Sequence, residues 1–356
     1  MADTLGMMVQ GGRVLDASAA QRELSKAGPL LDVRALRVEF PTRRGTLAAV
    51  RDLSFAIAPG EVLGVVGESG AGKSLTGAAI IGLIDAPGRI AGGEIRLSGR
   101  RIDNLPYEAM RKVRGREIGA VFQDPLTSLN PLYTIGRQLV ETIRTHLDLT
   151  ETAARKRAIQ LLEEVGIPAA ARRIDHYPHQ FSGGMRQRVV IALALAAKPK
   201  LIVADEPTTA LDVSIQSQII QLLKRLTREH GTAVMLVTHD MGVIAETADR
   251  VAIMYAGRIV EIGPVADVIH RPRHPYTVGL MGSIPSIAEG GERLAQIDGT
   301  MPRLTAIPSG CAFHPRCTRA IAQCRTECPE LERAGATEAA CWNPVPRKAG
   351  SSVDRA

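Results

Sequence analysis

Short apolar runs of strand length recur along this chain and alternate with segments of helical periodicity. The runs cover residues 61–66, 118–122, 201–204, 233–237 and 251–255. Segments with the length and spacing of helices follow two of these runs, at residues 75–83 and 215–226. Fully apolar strands that alternate with helices predict a mainly parallel sheet that is covered on both faces.

Two regions depart from this alternation. Residues 31–40, 47–58 and 94–97 have strand patterns before and after the first run, and we expect them to form an antiparallel β subdomain. Between about residues 134 and 197 the pattern becomes helical, with apolar side chains at the spacing of one helix face, for example Ile135, Leu139, Ile143 and Leu147. The sequence therefore predicts an α/β fold with an antiparallel β subdomain and a helical insert.

The strongest chemical signal lies between the first apolar run and its helix. Eight residues there fit the phosphate-loop pattern G-x-x-x-x-G-K-[ST] at every fixed position, namely Gly67, Glu68, Ser69, Gly70, Ala71, Gly72, Lys73 and Ser74. The glycines let successive N–H groups point at an anion, and the helix adds its positive N-terminal end. Lys73 can reach the β- and γ-phosphates, and the Ser74 hydroxyl can ligate Mg²⁺. The alternative, a plain glycine-rich turn, is disfavoured by the flanking strand and helix.

Two carboxylates directly follow the apolar run at residues 201–204. In a phosphate-loop enzyme the first, Asp205, belongs on Mg²⁺. The second, Glu206, is placed to polarise the water that attacks the γ-phosphate. The alternative is an acidic turn after a strand, and the presence of the phosphate loop disfavours it.

Ser182, Gly183 and Gly184 form a second candidate anion cradle, directly before a predicted helix. A hydroxyl, free N–H groups and a helix N-terminus all suit a phosphate. Because the chain has one phosphate loop, a second cradle suggests that two chains share each nucleotide.

Taken in order, these motifs resemble those of the ATP-binding cassette (ABC) ATPases, a family with the phosphate-loop NTPase fold. The segment from Ser182 to Arg188 resembles the family's signature motif. The family's other motifs match at Gln123 (the Q-loop), at residues 210–212 (the D-loop) and at His239 (the switch histidine). The resemblance implies an ATPase domain with ATP and Mg²⁺ as its ligands.

The resemblance also implies roles for individual residues. Two ATPase subunits would close head-to-tail around two ATP molecules, with the signature residues of each against the ATP of the other. Gln123 would contact Mg²⁺ together with Ser74 and Asp205, and it would sense the γ-phosphate. His239 would act with Glu206 and Gln123 in catalysis by holding the attacking water. An upstream aromatic would stack on adenine, and Phe40 is the candidate, with burial in the core as the alternative.

Three stretches resemble one subgroup, the ATPase subunits of dipeptide and oligopeptide importers. The signature has Phe181 and Met185 where most ABC ATPases have Leu and Gln, residues 123–131 are similar to the subgroup's Q-loop region, and residues 274–277 are similar to the start of its C-terminal extension. The resemblance implies a peripheral protein on the cytoplasmic face of the membrane that powers peptide import. The partners it implies are a paralogous second ATPase subunit, two transmembrane permease subunits and an extracytoplasmic substrate-binding protein.

Other functions remain as alternatives at this point. The same importer architecture could carry nickel, glutathione or another small solute. A soluble ABC protein of DNA repair or translation would carry a long coiled-coil insert or a second cassette, and neither is visible. The formal net charge of +7 does not by itself indicate a nucleic-acid partner. No run of about 18 apolar residues and no secretion signal occur, which favours the cytoplasmic side of the membrane.

All five cysteines lie near the C-terminus, in the spacing C-x5-C-x6-C-x3-C-x12-C. In a reducing compartment such a cluster suggests metal binding more than disulfides, although no C-x2-C pair of the zinc-ribbon type occurs. Some importer ATPases of the subgroup carry a [4Fe–4S] cluster in this region. The resemblance assigns its ligands to Cys311, Cys317, Cys324 and Cys341 and leaves Cys328 surplus. Zinc and free thiols remain alternatives.

We predict four parts along the chain. They are a flexible leader at residues 1–29, an ABC ATPase domain at residues 30–265, a C-terminal extension with the cysteine cluster at residues 266–346, and a flexible tail at residues 347–356. The helical subdomain occupies about residues 134–197 of the ATPase domain.

Overall fold

The computed structural model describes residues 28–43, 45–209, 212–283 and 296–346. The predicted tail lies outside these residues, as does the predicted leader except for its last two positions. Residues 210 and 211 of the predicted D-loop also lie outside them.

An antiparallel sheet of four strands forms the N-terminal part of the fold. The strands are β1 (Leu31–Thr42), β2 (Gly45–Ile57), β4 (Arg89–Leu97) and β5 (Arg100–Arg101), in the spatial order β2-β1-β4-β5. Strand β4 begins five residues earlier than predicted, because Gly92 and Gly93 interrupt its apolar alternation while the backbone still pairs with β1. The sheet confirms the predicted antiparallel subdomain.

A second sheet carries the predicted parallel core. Its strands are β3 (Val62–Val66), β6 (Ile118–Val121), β7 (Leu201–Asp205), β8 (Ala233–Thr238), β9 (Arg250–Tyr255), β10 (Arg258–Pro264), β11 (Glu332–Ala334) and β12 (Thr337–Ala339). The spatial order is β11-β12-β10-β9-β3-β8-β7-β6. The five strands from β9 to β6 are parallel, and the other three are antiparallel.

Helices cover both faces of this sheet. They are α1 (Lys73–Ile80), α2 (Tyr107–Val113), α3 (Pro125–Ser128), α4 (Ile135–His146), α5 (Glu151–Glu164), α6 (Ala170–Arg173), α7 (Gly183–Leu195), α8 (Val213–His230), α9 (Met241–Thr247), α10 (Val265–His270) and α11 (Pro275–Gly282). Helices α4 to α7 make up the predicted helical insert. Within the described stretches, none of the helices combines the length and apolar character that a membrane span requires.

The sheet separates two hydrophobic cores. Val62 and Val66 of β3 pack into one core together with residues of α4, α5 and α7. Leu63 and Val65 of the same strand point to the opposite face, into the core that the antiparallel sheet and α1 share. Because successive side chains of a strand alternate between faces, this arrangement explains why the strand is apolar at nearly every position.

The C-terminal extension is attached to the edge of the eight-stranded sheet. Strand β12 pairs with β10 through Glu261 opposite Ala339, so that the β11–β12 hairpin continues the sheet. The Glu261 side chain is completely buried and accepts hydrogen bonds from the N–H groups of Arg273 (2.7 Å) and His274 (2.9 Å). The sequence pattern did not predict this hairpin, because its two strands are three residues long and mostly polar.

Candidate functional site

The phosphate loop connects the C-terminal end of β3 to the N-terminus of α1, as the pattern predicts. Gly70 and Gly72 have φ values of +82° and +99°, a backbone conformation that residues with a Cβ rarely adopt. Gly72 is the N-cap of α1 and provides no side-chain hydrogen bond there, which leaves the first N–H groups of the helix available to an anion. The Lys73 ammonium folds back over the loop and donates to the carbonyl oxygens of Gly67 (2.8 Å) and Glu68 (3.1 Å). Burial lowers the pKa of Lys73.

The first glycine of the loop lies against the backbone of β9. A Cβ built on Gly67 would stand 2.2 Å from the carbonyl oxygen of Met254. We expect Gly67→Ala to lower the free energy of unfolding by about 1–3 kcal/mol, because a backbone atom rather than a flexible side chain must move. Urea denaturation of the purified chain measures this, with Gly28→Ala as the control because nothing lies within 4 Å of its Cβ. Equal unfolding free energies for the two variants would contradict the expectation.

Oxygen ligands suitable for Mg²⁺ meet at the start of α1. The Ser74 hydroxyl donates to Oδ1 of Asp205 at 2.9 Å, although 131 residues separate them. Burial raises the pKa of Asp205, an effect that the hydrogen bond from Ser74 opposes. Mg²⁺ is commonly held by one or two carboxylates together with phosphate oxygens, and this pair fits that requirement. The amide of Gln123, the third predicted ligand, contacts Glu206 instead.

The Glu206 carboxylate contacts side chains from two other predicted motifs. Its Oε2 accepts hydrogen bonds from the Gln123 amide (3.0 Å) and the Thr209 hydroxyl (2.8 Å), and its Oε1 lies 3.4 Å from Nδ1 of His239. Its backbone is left-handed, with φ at +45°. Such a conformation is unusual for a residue with a side chain, and it costs free energy that the surrounding contacts must offset. The structure thus brings all three predicted catalytic side chains together.

The predicted second cradle lies at the start of another helix. Ser182 is the N-cap of α7, and its hydroxyl accepts a hydrogen bond from the N–H of Met185 at 3.3 Å. Ser182 and Gly183 are exposed. Gly184 approaches α8 closely, since a Cβ there would meet the Ile215 side chain at 2.7 Å. The cradle is therefore preformed and open to the outside of this chain.

Phe40 lies near the end of β1 and is half-buried. Its ring packs against the core on the α1 side of the sheet and comes close to Gly88. It lines a cleft of about 340 Å³ that also reaches Ser74 and Asp205. Adenine stacking by Phe40 stays a prediction, with burial in the core as the alternative.

The predicted iron–sulfur site is not supported by the structure. All five cysteines are free thiols, and in the described residues no group of three or more His, Cys, Asp or Glu side chains is arranged to hold a metal ion. The pKa of Cys311 is raised to about 11, chiefly by burial, with smaller contributions from the neighbouring thiols of Cys324, Cys341 and Cys317. These four thiols therefore lie near one another, and burial also raises the pKa of Cys317 and of Cys341. Cys328 is exposed.

Sequence reasoning missed three residues that contact the predicted site. Thr209 donates a hydrogen bond to the Glu206 carboxylate, and its position three residues after Glu206 was the signal that could have suggested it. Tyr276 and Arg316 both contact Glu68, the second residue of the phosphate loop. Tyr276 lies in one of the stretches that resemble the importer ATPases, but nothing in either local sequence indicates a contact with a loop more than 200 residues away.

Comparisons with known proteins agree with this geometry. The sequence model of the ABC transporter family matches residues 50–209, and that of the oligopeptide/dipeptide transporter C-terminal region matches residues 260–324. The oligopeptide transport ATP-binding protein OppD of Escherichia coli (strain K12) is 45% identical over 332 residues, which are 93% of this chain and 98% of that protein. The dipeptide transport ATP-binding protein DppD of Haemophilus influenzae is 46% identical over 316 residues, or 89% and 96% of the two chains.

Solved structures give the same result for the fold. A dimeric structure of the ATP-binding cassette MJ0796 in a post-hydrolysis state, bound to ADP and Pi, has a TM-score of 0.60 and 30% identity, and the match covers 66% of this chain and 98% of that chain. The structure of cbiO1 from Clostridium perfringens, part of the ABC transporter complex cbiONQ, has a TM-score of 0.60 and 29% identity, over 68% and 91% of the two chains. This fold carries the phosphate loop, the paired carboxylates and the signature motif, and both family models match the sequence. The chain therefore belongs to the ABC transporter family, among the ATP-binding proteins of oligopeptide and dipeptide transporters.

Proposed function

We propose that this chain hydrolyses ATP to power the import of dipeptides and oligopeptides through membrane permease subunits. The observation that carries the proposal is the contact of Glu206 with both Gln123 and His239 beside the Ser74–Asp205 pair. The peptide cargo is supported by the match to the C-terminal region of oligopeptide/dipeptide transporters.

The roles of the site residues follow from their positions. The phosphate loop holds the β- and γ-phosphates with its N–H groups and with Lys73. When ATP binds, the Lys73 ammonium moves from the carbonyl oxygens of the loop to the phosphates. Ser74 and Asp205 would hold Mg²⁺, with Gln123 joining them after it leaves Glu206. When bound, Mg²⁺ neutralises the charge that develops on the phosphates.

Glu206 is the general base of this proposal. Its carboxylate accepts the proton of the attacking water, and Thr209 keeps the carboxylate in place through Oε2. His239 is largely exposed, with 66% of its side chain accessible, and from there it can hold the water and contact the γ-phosphate.

Hydrolysis in this proposal needs two ATPase subunits. The exposed cradle of Ser182, Gly183 and Gly184 would contact the ATP on the phosphate loop of a second subunit, which we take to be a paralogue. The dimeric form of the related cassette MJ0796 supports such an assembly. Two transmembrane permease subunits and a substrate-binding protein complete the importer, and the chain would sit on the cytoplasmic face of the membrane. The proposal includes no nucleic-acid partner.

The division into parts is proposed on the same grounds. Residues 30–265 form the ATPase domain, with the helical subdomain at about residues 134–197 as the part that carries the signature motif. Residues 266–346 form the extension typical of peptide importers. We leave the [4Fe–4S] cluster out of the proposed function, because ATP hydrolysis requires no electron transfer and the thiols are not arranged as ligands.

Uptake by cells tests the function. In the source organism, deletion of this chain's gene is expected to abolish uptake of radiolabelled dipeptides and tripeptides, and the wild-type gene should restore it while the Glu206→Gln gene should not. Retention of peptide uptake in the deletion strain, with loss of nickel or glutathione uptake, would overturn the cargo in favour of the alternative.

A further inference from the structure

We propose that Arg316 is a positioning residue of the ATP site, through which the C-terminal extension holds the phosphate loop in its binding conformation. The inference rests on the proposed ATP site and adds to it a residue from outside the cassette motifs. Arg316 lies 248 residues from the loop in sequence, in the short helical turn His314–Arg316 that directly precedes Cys317.

The first observation is the ion pair itself. Nη1 of Arg316 donates to both carboxylate oxygens of Glu68, at 3.0 and 3.1 Å. The Arg316 side chain is only 8% exposed and that of Glu68 is 29% exposed. Water and salt therefore screen this pair less than an exposed surface pair, and its coupling is correspondingly stronger.

The guanidinium is held on its other sides as well. Burial opposes its charge, but hydrogen bonds to Tyr255 and Glu68 more than offset this effect and raise the pKa of Arg316. Its other N–H groups donate to the backbone carbonyls of Ile297, Asp298 and Gly299. The guanidinium also lies over the rings of Tyr255 and Phe313. Because the arginine is already fixed, little side-chain freedom is lost in keeping Glu68 in place.

A second contact from the extension holds the same residue. The N–H of Glu68 donates to the hydroxyl of Tyr276 at 2.9 Å, and Tyr276 is completely buried against Tyr255 and Phe313. The extension therefore fixes both the side chain and the backbone of Glu68.

The position of Glu68 makes these contacts matter for ATP. Its carbonyl oxygen accepts a hydrogen bond from the Ala71 N–H (3.1 Å), which closes the turn of the loop, and it also accepts one from the Lys73 ammonium (3.1 Å) before that ammonium moves to the phosphates. Its carboxylate would repel a triphosphate if it were unpaired, and Arg316 supplies the compensating charge. Loss of Arg316 thus adds two costs to ATP binding, the ordering of the loop and the repulsion by Glu68.

The test compares four variants of the full-length chain. Arg316→Gln is expected to weaken binding of a fluorescent ATP analogue with Mg²⁺ by about tenfold, as fits the loss of one charge-assisted contact. In the purified transporter the same variant should raise KM for ATP with kcat little changed. Arg316→Lys, which keeps the charge, should recover part of the affinity. Glu68→Gln combined with Arg316→Gln should bind ATP better than Arg316→Gln alone, because no unpaired carboxylate remains.

Arg319→Gln is the matched control. Arg319 lies three residues further along the same segment and bonds Asn343 rather than the loop, so its loss should leave ATP affinity unchanged. An unchanged affinity in a folded Arg316→Gln variant, an equal loss in Arg319→Gln, or no recovery in the double variant would each overturn the inference. Failure of the wild-type chain itself to bind ATP would instead overturn the proposed function.

Discussion

Replacing Glu206 with glutamine is expected to slow ATP hydrolysis by about a thousandfold, since a general base contributes two to four orders of magnitude. Glutamine keeps the size of the side chain and can still bond Thr209 and Gln123, but it cannot accept the proton of the attacking water. ATP binding should therefore remain near the wild-type level. The variant is expected to accumulate the ATP-bound dimer, which size-exclusion chromatography with MgATP detects.

Glu108→Gln is a suitable control for this experiment. Glu108 is an exposed carboxylate on α2 that pairs with Arg111, away from the site. Both variants are best measured in the purified transporter with the second ATPase subunit carrying its own inactivating substitution, so that its activity does not conceal the loss. Normal turnover by Glu206→Gln under these conditions would remove Glu206 from the mechanism.

Replacing Lys73 with methionine is expected to act at the earlier step. Methionine matches the aliphatic length of lysine, but it cannot contact the β- and γ-phosphates. Charge-assisted hydrogen bonds are worth about 1.5–3 kcal/mol each, so affinity for MgATP should fall by about 10- to 100-fold. Isothermal titration of the purified chain measures the change, and Lys112→Met, at an exposed position of α2, serves as the control.

The two variants separate binding from chemistry. Glu206→Gln should bind ATP and not hydrolyse it, whereas Lys73→Met should lose binding and, as a consequence, hydrolysis. The folded state should survive in Lys73→Met, because in the absence of nucleotide the ammonium bonds only two carbonyl oxygens of the loop. Wild-type affinity in Lys73→Met would show that the loop binds its ligand by another arrangement.

Much of the site could be predicted from the sequence, because its chemistry lies in short motifs at the ends of buried strands. Asp205 is the last residue of β7, Glu206 directly follows it, and Gln123 follows the neighbouring strand β6 by two positions. The carboxyl ends of adjacent parallel strands meet at one edge of a sheet, so recognition of the strands was enough to expect these side chains together.

The structure of the C-terminal extension was harder to predict. The cysteine spacing and the resemblance to importer ATPases suggested a four-thiolate cluster, but in the described residues the four thiols, one buried and three partly buried, do not have the arrangement of a metal site. The ion pair of Arg316 with Glu68 carries no periodic or spacing signal at all. Both outcomes depend on how the extension packs against the sheet.

The sequence by itself determined the phosphate loop, the position of the two predicted catalytic carboxylates, the predicted signature serine and the alternation of strands and helices. Each of these is a local property, because backbone conformation and side-chain periodicity are set within a few neighbouring residues. Only the tertiary structure decided that the β11–β12 hairpin extends the eight-stranded sheet and that Arg316 and Tyr276 hold Glu68. These contacts join segments about 80 to 250 residues apart, and strand order and register, rather than local sequence, bring such segments together.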